Sequence, residues 1–117
     1  MDVTRVPARR YHWSSMTDAM CVRAVLAGDG EAFTMLVDRH AAACIRFATR
    51  MLGSREDAED VTQETLVRAH RALARFDEAM SFRTWIMSIL INRCRSALLS
   101  RHRRASRVIL DARAVDL

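Results

Sequence analysis

The chain has a single proline, Pro7, and its three glycines stand at only two places, Gly28 with Gly30 and Gly53. Small strand-based domains need turn residues every few positions, so 117 residues with so few breakers are steered toward long helices. Half of the residues are hydrophobic, enough at this length for one modest core and one domain. The expected fold is therefore all-α, a compact bundle of about four helices.

Residues 1–15 hold Pro7 and scattered arginines without a helical period, and read as a mobile arm. Met16-Thr17-Asp18 reads as a more natural beginning, with Thr17 or Asp18 capping a first helix that runs through Leu26. Gly28-Asp29-Gly30 breaks that helix. A second should run from about Glu31 to Leu52, because Phe33, Leu36, Val37, Cys44, Phe47, Ala48 and Met51 recur at three- and four-residue spacing. His40 lies on the same stripe, which makes it a core or rim histidine before it is a ligand.

Gly53 suits a left-handed helix end, and Ser54 with Asp57 three residues later resembles a capping box. That cap opens a third helix reaching about Leu73. Phe76 to Ser81 forms a short loop, after which Ser81 or Thr84 caps a fourth helix ending near Arg103. Residues 105–117 lose periodic strength and read as the start of a linker, so the helical domain is expected to occupy 16–104.

Charge is distributed unevenly along this scaffold. Glu56, Asp57, Glu59, Asp60 and Glu64 crowd one window, whereas no acid lies between Glu78 and Asp111, where Arg83, Arg93, Arg95, Arg101, Arg103, Arg104 and Arg107 accumulate. The net charge is +5 and all nineteen basic residues are arginine. Arginine binds phosphate and guanine through two parallel bonds where lysine is a point charge, so an anionic partner fits the basic half.

Each half also has an unusual face. On the third helix Ala58, Val61, Thr65, Leu66, Ala69, Leu73 and Phe76 fall on one side, and Asp60, Gln63, Glu64, Val67, His70 and Arg71 on the other. Val67 is an apolar residue centred among charges. The face is either an ordinary solvated one or a docking surface for a helix. On the fourth helix Ile86, Leu90, Cys94, Ala97 and Leu98 form a core stripe, while Trp85, Ser88, Ile89, Asn92, Arg95 and Ser96 share the opposite side. Asn can read a base edge, Trp can stack and Arg can hold phosphate. The alternative is a Trp packed into the core beside the loop, with Asn92 incidental.

Other classes find little support. Cys21, Cys44 and Cys94 are odd in number and widely spaced, and His12, His40, His70 and His102 stand at no ligand-like spacing to them, which disfavours zinc. Unpaired thiols fit a reducing cytoplasm. The apolar runs are too short for a membrane span, so membrane insertion is not expected. No paired carboxylates, nucleophile–base set or phosphate loop appears at suitable spacing, so neither an enzyme nor a cofactor is expected.

The order of short motifs resembles a known family. Gly-Asp-x-Glu-Ala-Phe at 28–33, Ala-Glu-Asp-x-x-Gln-Glu-Thr at 58–65, Arg-Ala-x-Arg-Ala-Leu at 68–73, Phe-Arg-Thr-Trp at 82–85 and Ile-x-x-Asn-Arg at 89–93 are followed by a basic tail. From Gly28 through Arg104 the series is similar to region two of the bacterial extracytoplasmic-function sigma factors, the promoter-recognition subunits of RNA polymerase.

The resemblance implies roles for residues. Asp60, Gln63 and Glu64, with Val67 and Arg71 beside them, would dock on the clamp helices of the polymerase β′ subunit. The loop with Asp77, Glu78, Met80 and Ser81 would take up an extruded base of the −10 element. Trp85, Ser88, Ile89 and Asn92 would read the −10 non-template strand, and Arg83, Arg93, Arg95 and Arg101 would bind its phosphates. An inhibitory anti-sigma factor and a cytoplasmic location are implied with them. Such factors normally carry, after a flexible linker, a second helical domain that reads the −35 element, and these 117 residues do not include it.

Three departures from the family stand out. His70 occupies a position usually aromatic, Ser88 replaces a frequent Arg, and the loop has two acids and a Met where a Pro- or Gly-containing turn is usual. Two rival readings fit the same residues. One is a protein-interaction module that binds polymerase or an anti-sigma factor without reading DNA; the other is a sequence-blind basic nucleic-acid binder.

Overall fold

The computed structural model describes residues 15–116, so the arm expected at the N-terminus lies, apart from Ser15, outside the described residues. Among the described residues four helices follow one another: α1 (Asp18–Leu26), α2 (Ala32–Leu52), α3 (Arg55–Arg71) and α4 (Phe82–Asp116), with one 3-10 turn at Leu73–Arg75. No strand occurs among the described residues. The all-α expectation holds.

The helix ends are set by the residues that signalled them. Thr17 Oγ1 accepts the Met20 N–H at 3.2 Å and opens α1. Ser54 Oγ accepts the Asp57 N–H at 3.2 Å and opens α3. Between α2 and α3, Gly53 adopts φ 73°, and its N–H reaches the Thr49 carbonyl at 2.8 Å. That left-handed conformation costs glycine nothing and would strain a residue bearing a Cβ. Ser81 Oγ accepts the Thr84 N–H at 3.1 Å at the head of α4.

The core is organised on α2, which packs against α1, α3 and α4. Its buried residues, Ala32, Leu36, His40, Cys44, Ala48 and Leu52, step by four along one line. Against them lie Cys21 and Val22 of α1, Ala58 and Ala69 of α3, Leu73 of the 3-10 turn, and Phe82, Ile86, Leu90 and Cys94 of α4. Truncating a fully buried Leu36 or Leu90 to Ala in such a core costs about 2–5 kcal/mol. The three cysteines are free, buried thiols, and burial pushes each of them up from the ordinary thiol range.

Two expectations need correction. The fourth helix does not end near Arg103; it continues without a break to Asp116. No Gly or Pro interrupts 82–116, and Arg, Ala, Leu and Ile there all tolerate the helix. The fading hydrophobic period marked the loss of a packing partner, since 101–114 are exposed throughout. On α3 the inward side is rotated slightly: Thr62 is 2% exposed, whereas Val61 is only half-buried.

Candidate functional site

The outward face of α3 carries Asp60, Gln63, Glu64, Val67 and Arg71, all exposed. Val67 is 49% exposed although it is branched and apolar. Beside it Phe33, Leu66, Val67, His70 and Arg71 line a shallow hollow of about 250 Å³. Its wall is the edge-on contact of Phe33 with His70, whose ring centroids are 4.9 Å apart. Phe33 comes from the start of α2, and neither its place on that helix's apolar stripe nor the Gly-Asp-x-Glu-Ala-Phe motif marks it as part of this face. The hollow can seat an apolar side chain, with His70 and Arg71 in its lining and Glu64 one turn before Val67 on the same helix.

Glu64 is not isolated on this face. Arg68 of α3 lies 4.0 Å from it and Arg93 of α4 lies 3.9 Å away. Arg93 is thereby turned toward α3 rather than outward from α4.

The loop between Phe76 and Ser81 is folded back on itself. Asp77 Oδ1 accepts the Ala79 N–H at 2.9 Å, and the Asp77 carbonyl accepts the Met80 N–H at 3.0 Å. Such a local bond is how Asp closes a tight turn without glycine. Met80 is left exposed at the tip. Glu78 is held by Arg23 of α1, which donates Nε–H to Oε2 at 2.9 Å and a terminal N–H to Oε1 at 2.6 Å.

Beneath the loop three aromatic rings meet. Phe76 and Phe82 are 5.5 Å apart, Phe76 and Trp85 5.3 Å, and Phe82 and Trp85 5.6 Å, centroid to centroid. Phe82 is buried and Trp85 half-buried, so the two readings of Trp85 merge: one flank joins the core and part of the indole remains open. Ser88, exposed one turn later, donates its hydroxyl to the Trp85 carbonyl at 2.6 Å. Ile89 is half-buried and Asn92 exposed, and the three- and four-residue spacing puts Trp85, Ser88, Ile89 and Asn92 on one face. An open aromatic edge, an apolar shoulder and a free amide in a row can stack and read an unpaired base.

The four arginines expected to bind phosphate do not form one set. Arg83 donates to His40 Nδ1 at 2.8 Å and to the Arg39 carbonyl at 3.2 Å, on the α2 side. Arg101 donates to the Leu52 carbonyl at 3.0 Å and to Asp57 at 2.9 Å, bracing α4 against the α2–α3 junction. With Arg93 near Glu64, Arg95 is the one of the four whose side chain has no partner among the described residues. Arg103, Arg104 and Arg107 follow it, exposed, on the projecting part of α4.

Among the described residues no His, Cys, Asp and Glu group is placed to hold a metal ion. No helix among them is long and apolar enough to cross a membrane.

Comparison with known proteins places this geometry. The family described as sigma-70 region 2 matches residues 36–105. The RNA polymerase sigma-H factor of Pseudomonas aeruginosa is 34% identical over 87 residues, covering 74% of this chain and 45% of that protein. The ECF RNA polymerase sigma-E factor of Escherichia coli K12 is 34% identical over 97 residues, covering 83% of this chain and 50% of that protein. The chain thus spans about half the length of the curated relatives it matches. A solved structure, an engineered region 2 of sigmaE in complex with GTAAAA, is 36% identical with a TM-score of 0.70, covering 76% of this chain and 93% of that one. With most of the helical bundle matched in sequence and in fold, the chain belongs to the sigma-70 region 2 family, as a region-two domain of the extracytoplasmic-function kind.

Proposed function

We propose that this domain is the part of a promoter-specificity factor that joins RNA polymerase to the −10 element, without catalysing a reaction itself. The α3 face, with Val67 at its centre and Asp60, Gln63 and Glu64 around it, docks on the clamp helices of the β′ subunit. The α4 face, with Trp85, Ser88, Ile89 and Asn92, reads the non-template strand, and the Asp77–Ser81 loop receives an extruded base. Extruding a base costs a few kcal/mol, which stacking on an aromatic, about 1–3 kcal/mol per base, can offset. The exposed Arg95, Arg103 and Arg104 hold the phosphates. An anti-sigma factor that covers the α3 face would keep the domain silent, and its place of action is the cytoplasm, with the polymerase.

The observation that carries this reading is the separation of two faces on one rigid bundle. An apolar-centred acidic face lies on α3, and an aromatic-and-amide face lies on α4, beneath a tethered loop. Likeness to the sigmaE region that was solved with GTAAAA supports the second face. Fluorescence anisotropy with single-stranded GTAAAA, a shuffled hexamer and core polymerase tests it. The 117-residue chain should prefer the ordered hexamer at matched salt. Asn92→Ala should weaken that binding about fivefold or more while leaving polymerase affinity intact. Equal affinity for the shuffled strand would identify a sequence-blind binder instead.

A further inference from the structure

We infer that Arg23 is a positioning residue for the Phe76–Ser81 loop, holding it in the shape that receives a base; the inference rests on the base-receiving role given to that loop above. Arg23 stands in the last turn of α1, 55 positions from Glu78 along the chain. The two meet through a bidentate pair, Nε to Oε2 at 2.9 Å and a terminal nitrogen to Oε1 at 2.6 Å. The other hydrogen bonds of the loop are local: Ala79 N–H to Asp77 Oδ1, Met80 N–H to the Asp77 carbonyl, and Ser81 with Thr84. Among the described residues, the Arg23–Glu78 pair is the one polar tie between this loop and another helix of the bundle.

The tie also answers an electrostatic difficulty. A loop meant to face nucleic acid bears two carboxylates, Asp77 and Glu78. Asp77 is folded back on its own backbone. Glu78 is countered by a guanidinium that sits behind the loop, on α1, in the fork-to-fork geometry that fixes orientation as well as charge. Both partners are exposed, so the pair adds little to global stability and its effect is local. Arg23 does not need to touch DNA to act.

A double-mutant cycle on the full chain separates this role from direct phosphate binding. The variants are Arg23→Ala, Glu78→Ala, the two together, and the exchange Arg23→Glu with Glu78→Arg. The readouts are the {1H}-15N NOE of the Ala79 and Met80 amides in the free protein, affinity for single-stranded GTAAAA, and affinity for core polymerase. Arg23→Ala should lower both NOEs and weaken hexamer binding about three- to fivefold at low salt, with polymerase affinity unchanged. In the Glu78→Ala background it should do nothing further, and the exchange should restore the NOEs. Unchanged NOEs in Arg23→Ala, or a hexamer loss as large in the Glu78→Ala background as in the wild type, would overturn the inference. Equal binding of GTAAAA and a shuffled strand by the wild type would defeat the base-receiving role itself, while the NOEs still decide whether Arg23 orders the loop.

Discussion

Arg83 donates its Nε–H to Nδ1 of His40 at 2.8 Å, and that single bond decides what the buried imidazole can do. A ring nitrogen that accepts a bond has no proton, so the ring proton sits on Nε2, facing Asp18 Oδ2 at 2.8 Å. Asp18 is also held by Arg39 at 2.9 Å. One histidine, 5% exposed, therefore joins the heads of α1 and α4 to the middle of α2.

His40→Ala should leave the Arg83 Nε–H and one oxygen of Asp18 without their partner in a partly buried setting. The expected loss is about 1–3 kcal/mol of stability, read from urea unfolding. A loss below a few tenths of a kcal/mol would mean that water replaces the imidazole freely.

Val67 makes the opposite demand. Its side chain is half exposed and fills no core space, so Val67→Asp should change unfolding stability by no more than about 0.5 kcal/mol. If the hollow beside it seats a partner's apolar side chain, the same change should reduce core polymerase affinity by about tenfold or more. A pull-down titration with core polymerase reads the second effect, and an unshifted titration rejects the α3 face as the docking surface.

These residues are legible in the sequence to different degrees. Thr17, Gly53, Ser54 and Ser81 announce helix ends by chemistry confined to four consecutive residues, and the structure uses each of them. The stripe with Val67 opposite it, and the row from Trp85 to Asn92, follow from helical period alone. What period cannot show is where an arginine goes. Arg83 finds His40 43 positions away and Arg101 finds Leu52 49 positions away. Such pairings depend on how helices cross, so residues similar in sequence terms part into struts and free charges. The end of α4 was hidden for a related reason: a helix that has run past its bundle loses its apolar stripe but not its helical propensity.

Thr62 offers a case where removing a polar atom should help. Its Oγ1 is fully enclosed and has no hydrogen-bond partner among the described residues, while Thr65 and Thr49 each donate to the carbonyl four residues back. An enclosed, unsatisfied hydroxyl is destabilising, and Val has nearly its shape. Thr62→Val should be neutral to stabilising by about 1 kcal/mol in a thermal or urea melt. A destabilisation of that size would reveal a partner for the hydroxyl.

The chain should also lose stability in alkali for an unusually simple reason. It has no lysine, so the side chains that titrate between neutral pH and the arginine range are the three cysteines and Tyr11. Burial pushes Cys21, Cys44 and Cys94 upward from 9.0. A raised folded value means that the folded state holds the proton more tightly. The benefit is complete below the unfolded thiol value and is lost as pH rises from there through the folded values. The urea midpoint should therefore be flat from pH 7 to 8 and fall above about pH 9. A flat midpoint up to pH 10.5 would mean that the thiols ionise in place.

Arg95 and Arg101, both basic residues of α4, should separate cleanly under mutation. Arg101 is bonded to the Leu52 carbonyl and to Asp57, one orphan acceptor at the end of α2 and one acid in the first turn of α3. Removing it leaves the Leu52 acceptor unanswered at a helix end, so Arg101→Ala should cost about 1–2 kcal/mol in unfolding. Because its guanidinium is already engaged, the salt dependence of hexamer binding should stay nearly as it was. Arg95 is exposed and without a partner among the described residues, so Arg95→Ala should leave unfolding unchanged. If it neutralises one phosphate, the slope of log affinity against log salt should fall by about 0.7, the value for one contact on a single strand. Anisotropy titrations at four salt concentrations, beside urea melts of the same samples, give both numbers for both variants. The opposite pattern, with Arg101 setting the slope and Arg95 the stability, would show that α4 meets DNA through the side that braces it against α3.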